Sequence, residues 1–130
     1  DAPENWMVSE FLMGVKLFER DSEFFKVCDE VITETFDGRQ IYGSHPYTDV
    51  LMLKKKYDFS CINFSIGYYN YHTSNEYVVI DEIYTGIETG KRIIEGLGTT
   101  KHKLKHKNIN EPYYLKHTTE CFFFYLYIYN

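Results

Sequence analysis

His72 and Glu76 stand four residues apart in the polar, Tyr-rich segment YYNYHTSNEY at 68–77, and their types suit metal chemistry best. An imidazole in a loop just after an apolar strand lies where α/β proteins hold ligands. A carboxylate four residues on suits the partner that metal-bound histidines commonly have. A catalytic zinc ordinarily takes three protein ligands, so one histidine specifies no metal, and a hydrogen-bonded loop histidine is the alternative. Tyr68, Tyr69 and Tyr71 either line a pocket beside the imidazole or pack at a sheet edge.

Other reactive side chains offer less. His102 and His106, in KHKLKHK at 101–107, have the i, i+4 spacing of a helical metal pair but no third ligand, and read better as a solvated basic stretch. His45, just before Pro46, reads as a turn histidine, with a substrate contact near a cleft as the alternative. Cys28, Cys61 and Cys121 are odd in number and contain no CxxC pair, so no disulfide framework or zinc ribbon is expected and a reducing cytosol is. Cys61 lies in an apolar run and reads as an inert core thiol. Asn63-Phe64-Ser65 is a formal glycosylation sequon, but it falls inside the same run and carries no weight.

The chain that must position these groups has 130 residues, enough for one domain with a core. At 44% hydrophobic and 25% charged it is neither wholly disordered nor collagen-like. A net charge of −5 gives no support to a nucleic-acid role. No apolar run approaches the roughly 20 residues of a membrane span, and the opening DAPENW lacks the features of a signal peptide. The expectation is a cytoplasmic chain with neither nucleic acid nor membrane as partner; its start at Asp1 leaves a fragment of something longer open. Residues 1–98 carry 9 Lys/Arg against 17 Asp/Glu, and residues 99–130 carry 5 against 2, so Gly98 marks a compositional seam.

Apolar spacing predicts an amphipathic helix over about 5–20 and a second from Phe24 to about Thr35, entered through Asp21-Ser22-Glu23. Residues 37–49 read as a loop with a short strand at Gln40–Tyr42, and Asp49–Lys56 as a short helix. The run Ser60–Ile66 fits a buried strand of parallel type, and Val78–Ile80 a second extended run. A helix follows from Glu82 to about Leu97, with Ile83, Ile87, Ile93, Ile94 and Leu97 on one face and Gly96 and Gly98 closing it. That order is α/β. Beyond Gly98 the only expectation is a strand at Phe122–Ile128, in the aromatic end CFFFYLYIY.

Between Gly43 and about Gly96 the sequence resembles the C-terminal end of co-catalytic zinc exopeptidases of the peptidase T, aminoacylase and acetylornithine deacetylase family, with related aminopeptidases behind them. The resemblance rests on Thr48-Asp49 opening a helix, the apolar strand Cys61–Ile66, the turn Gly67-Tyr68, the segment His72-Thr73-Ser74-Asn75-Glu76-Tyr77, and Asp81-Glu82 at a helix start. It implies that residues 1–98 are part of a three-layer zinc-peptidase-like α/β domain, helices packed on a short, mostly parallel sheet, with 99–130 as a basic then aromatic extension. It further implies His72 as the last ligand of a two-zinc site, with Glu76, Asp49, Tyr71 and Asn75 in the surrounding shell or substrate pocket. Metal-activated water would attack the amide carbonyl of a peptide or N-acyl amino acid.

The departures are as informative. There is no His-x-Asp, no Glu-Glu pair to supply the family's general base, and the lead into Thr48-Asp49 is altered to Gly43-Ser44-His45-Pro46-Tyr47. Two zinc ions would therefore need a second polypeptide carrying the N-terminal catalytic half, and the chain alone would be inactive. A homo-oligomer is the other partnership expected. The alternative function is a non-catalytic interaction or structural protein built on a remnant of the fold.

Overall fold

The computed structural model describes residues 3–46, 48–57 and 59–99. His102, His106 and the strand expected at Phe122–Ile128 lie outside the described residues. Within them the chain is α/β, with strands β1 (Met7–Leu12), β2 (Val15–Lys16), β3 (Ile41–His45), β4 (Asn63–Phe64), β5 (Tyr68–Tyr69) and β6 (Tyr77–Val78). The helices are α1 (Glu23–Thr35), α2 (Asp49–Lys56) and α3 (Ile80–Leu97).

The N-terminal segment is a β-hairpin, not the helix its spacing predicts. Met13 and Gly14 both have positive φ, 47° and 77°, and join Leu12 to Val15 in an antiparallel pair. Such two-residue turns twist in the sense that paired strands require. The misreading has a physical source in β1, where the register against β3 steps from Ser9↔Gly43 to Phe11↔Ser44 and leaves Glu10 as an extra residue. A bulge shifts the alternation of faces. The fully buried positions Val8, Ser9 and Leu12 then fall at i, i+1 and i+4, which read along the chain as a helical period.

β1 is the centre of a mixed sheet, which corrects the expectation of a mostly parallel one. β3 runs parallel to β1 along its length, while β2 and β4 pair with β1 antiparallel. A strand has two edges, so β2 and β4 share the one that β3 leaves. The expected parallel strand Ser60–Ile66 is thus an antiparallel segment with two residues of regular ladder. Its ends are fastened by the Cys61 N–H donating to the Leu17 carbonyl (3.0 Å) and the Ser65 N–H donating to the Met7 carbonyl (2.9 Å).

The core forms where α1 and the C-terminal half of α3 meet this sheet, from Val8, Leu12, Phe18, Phe25, Ile32, Phe36, Leu51 and Ile93 among others. Phe18 stacks on Phe25 at 4.8 Å between centroids, and Trp6 meets Phe36 edge-on at 5.1 Å. Ser22 caps α1 as its position suggests, its Oγ accepting from the Phe25 N–H at 3.1 Å. α2 has the predicted bounds. α3 starts two residues earlier than predicted and absorbs Ile80, so the extended run before it shortens to Tyr77–Val78.

The buried face of α3 consists of Gly86, Thr89, Gly90, Ile93 and Leu97. Of the five residues predicted to share one inner face, only Ile93 and Leu97 are buried, and Ile94 is exposed. Small residues win that face because α3 lies close to the chain beneath it. A Cβ on Gly86 would stand 2.8 Å from Ile66 Cγ2.

Candidate functional site

His72 is carried by the connection between β5 and β6, a hairpin pairing Tyr68 with Val78 and Tyr69 with Tyr77. Three contacts fix its base, two of them to the start of α3. The Tyr69 hydroxyl donates to the Glu82 carboxylate at 2.6 Å, the Tyr69 ring stacks on Tyr77 at 5.2 Å, and the Val79 N–H donates to the Gly67 carbonyl at 2.7 Å. Gly67 has φ +78°, and a Cβ there would lie 2.5 Å from Glu82 Cβ and 2.8 Å from the Val79 oxygen. Only glycine fits so close a passage. Burial, aided by the carboxylate of Glu82, pushes the Tyr69 phenol up to about 12.

Residues 70–76 are folded by their own polar side chains. Asn70 and His72 both adopt positive φ, 53° and 61°, a region in which Asn and His are over-represented among side-chain-bearing residues. The Thr73 hydroxyl donates to the Asn70 carbonyl at 2.7 Å and accepts from the Asn75 N–H at 3.2 Å. The Glu76 carboxylate accepts from the backbone N–H of His72 at 2.9 Å. The Tyr68 hydroxyl, then this N–H, hold the Glu76 carboxyl below the usual carboxylate range. Glu76 thus acts on His72 through its main chain, setting the turn from which the imidazole projects. Asn75 contributes backbone to the same turn, its carbonyl facing the Asn70 amide at 3.4 Å.

Tyr71 connects this turn to the main sheet. Its ring is 5.7 Å from the imidazole of His72, edge-on, and 5.9 Å from that of His45; Tyr68 lies 6.1 Å away on the same ring. Tyr69 packs at the hairpin base, Tyr71 contacts both histidines, and Tyr68 meets Tyr71.

His45 is the residue that the sequence places wrongly. It is the last residue of β3, paired with Leu12, and 5% exposed, whereas Pro46 before a loop suggested a turn. Among the described residues neither ring nitrogen has a side-chain hydrogen-bond partner. Burial pushes its imidazole below the ordinary value, against the smaller opposing influence of the Pro46 carbonyl. The hydroxyl of Thr48, three residues on, is likewise buried and has no partner among the described residues, and Asp49 opens α2 beside it. The signal for this strand end is the run Ile41–His45 itself, which Gly43 interrupts.

The β3–α2 connection holding His45, Thr48 and Asp49 therefore lies at the carboxyl ends of the parallel pair β1 and β3, and Tyr71 brings the His72 turn to it. Carboxyl ends of parallel strands are where α/β folds gather ligand-binding groups. Among the described residues no group of three or more His, Cys, Asp or Glu side chains is placed to hold a metal ion. His72 is one exposed nitrogen donor of a type that zinc accepts, and fits as a contributor to a metal site rather than as the whole of one.

Cys28 and Cys61 are buried, and burial pushes both thiols up to about 12, in keeping with core packing. The Asn63 amide donates to Ser9 Oγ at 3.0 Å, so the formal sequon is occupied by a structural contact. Among the described residues no helix is long and apolar enough to cross a membrane.

Compared with known proteins, the chain matches no family model, no curated protein and no solved structure. What the architecture itself defines, over the described residues, is a small α/β domain with three helices and a mixed sheet.

Proposed function

We propose that this chain is the C-terminal portion of a zinc-dependent peptidase or amidohydrolase of the three-layer zinc-peptidase type, acting in the cytoplasm. The observation that carries the proposal is the exposed His72, held on an internally bonded turn and joined through Tyr71 to the carboxyl ends of β1 and β3. The ordered features from Thr48-Asp49 to Asp81-Glu82 support the same reading.

His72 would supply a neutral imidazole lone pair as one protein ligand. Zinc bound there, with ligands and a general base from a second polypeptide, supplies an activated water for attack on a peptide or N-acyl amide carbonyl. Glu76 fixes the main chain of His72, and the Tyr71 ring limits the sweep of its imidazole. In this reading Asp49, Tyr71 and Asn75 contribute to the substrate pocket, Tyr71 through the ring that lies 5.7 Å from the His72 imidazole.

Native mass spectrometry of the chain purified from its own source tests this. A complex with a larger chain holding about two zinc ions is expected, with His72→Ala removing about one of them. A metal-free chain with no partner, or unchanged zinc in the His72→Ala complex, would overturn it. The lack of a third donor among the described residues favours a second reading, a non-catalytic interaction protein, and assembly of copies of the chain without metal would be its signature.

A further inference from the structure

α3 has a second apolar face. Ile80, Tyr84, Ile87 and Ile94 follow at i, i+4, i+7 and i+14, about 100° around the helix from the buried Gly86, Gly90 and Ile93. Ile80 is 65% exposed, Tyr84 68% and Ile94 47%, and Tyr77 and Val78 extend the patch at 50% and 51%. Scattered apolar residues need no explanation, but four exposed apolar residues close in sequence at the amino-terminal end of α3, Tyr77, Val78, Ile80 and Tyr84, suit an interaction surface; towards Ile94 the exposed Lys91, ion-paired with Glu88 at 3.4 Å, interrupts the stripe. Beside Tyr84 a shallow depression of about 340 Å³ opens between α1 and α3, lined also by Thr35, Thr85 and Glu88.

The same chain contains a run in need of cover, CFFFYLYIY at 121–129. We propose that this run docks on the outer face of α3, so that the C-terminal segment shields its own domain. The inference is independent of the metallohydrolase reading.

Reach permits it. α3 has 18 residues and is ~27 Å long, and the 22 residues 99–120 can span up to ~70 Å. A tether of that length keeps the run at millimolar effective concentration, above that of a second copy at ordinary dilution. Charge favours it as well. Asp81, Glu88 and Glu95 recur every seven residues along one border of the stripe, while the connecting segment begins with Lys101, Lys103, Lys105 and Lys107. In sequence those lysines begin three residues after Gly98, the cap of α3, and the carboxyl end of a helix favours positive charge.

Cys121, the first residue of the run, is a built-in probe. Cys28 and Cys61 are buried thiols that resist alkylation in the folded chain. The full chain at low micromolar concentration is treated with iodoacetamide at pH 8, and labelling of Cys121 is read by peptide mapping. The expected result is a rate at least about tenfold below that of the same site in urea, one decade per 1.4 kcal/mol of protection. Ile80→Lys and Tyr84→Lys, each at an exposed position and each checked for native circular dichroism, should each restore the fast rate. Docking is overturned if Cys121 reacts at the free rate in the native chain, or if its protection survives both substitutions. It is also overturned if protection vanishes on dilution together with a fall in mass to 15.5 kDa, which would assign the stripe to a second copy.

Discussion

Gly86 backs onto Ile66 so closely that a Cβ at that position would lie 2.8 Å from the Cγ2 of Ile66, 3.1 Å from its Cβ and 3.2 Å from its Cα. The contact seats α3 on the segment leading into the β5–β6 hairpin. The neighbour is β-branched and partly backbone, so it has little freedom to yield. Gly86→Ala is expected to destabilise the protein by about 1–3 kcal/mol through overpacking, more than the helix-propensity gain of up to ~1 kcal/mol returns. Urea denaturation reads the balance, and a variant as stable as wild type would mean that α3 does not sit this close.

Tyr42 joins α1 to β3. Its hydroxyl donates to the Asp29 carboxylate in a short hydrogen bond, and the Arg20 guanidinium lies 4.6 Å over its ring. Tyr42→Phe keeps the ring and loses the bond, an expected cost of about 0.5–1.5 kcal/mol. Burial and the Asp29 carboxylate raise the Tyr42 phenol far above its ordinary value. In an ultraviolet titration of the folded protein this tyrosine should stay protonated until the chain unfolds in alkali, and the Phe variant should lack that late step.

Acid should weaken the fold in two windows. Burial lowers the His45 imidazole from its ordinary 6.5, so below that pH the unfolded chain binds a proton that the folded chain resists. By linkage, stability is full above 6.5 and is lost as the pH falls from there toward the folded value. The Arg20 hydrogen bond holds the Glu10 carboxyl below its ordinary 4.5, as Arg92 does for Glu34, and the stability from these pairs is lost as the pH falls through their lowered values. Unfolding free energy measured from pH 8 to 3 should show both declines. His45→Gln should flatten the upper one, and Arg20→Gln should reduce the lower one.

The turn at 70–76 depends on the charge of Glu76. Glu76→Gln should accelerate amide hydrogen exchange at His72, whose N–H the carboxylate accepts at 2.9 Å. Global stability should change by no more than about 0.5 kcal/mol, because the turn is exposed and lies outside the core. Unchanged exchange at His72 would show that the hairpin base alone holds the turn.

Much of this architecture is legible along the chain, and the failures have specific causes. α2 declares itself through Asp49 at its start and Lys54-Lys55-Lys56 at its end, and α1 through Ser22 and the repeat of Phe24, Phe25, Cys28, Val31 and Ile32. The β1–β2 hairpin hides because the bulge at Glu10 gives three buried strand positions a helical spacing. Gly14, one residue after the hairpin's Met13, was the available contrary sign. Of the site, the closeness of Glu76 to His72 can be read from spacing, but its bond to the His72 main-chain N–H and the burial of His45 cannot.

By itself the sequence determined the α/β class, the segments that become α1, α2 and α3, the change of character at Gly98 and the lack of any His-x-Asp or Glu-Glu pair. Local pattern suffices for these, since capping, helical period and composition act over neighbouring residues. Only the tertiary structure decided that β1 lies at the centre of a mixed sheet, that His45 is buried against Tyr71, and that Gly86, Thr89 and Gly90 join Ile93 and Leu97 on the inner face of α3 in place of Ile83, Ile87 and Ile94. Strand partners and the closeness of two packed segments are set by residues distant in the chain, and hydrophobic spacing along one segment carries no record of what will lie against it.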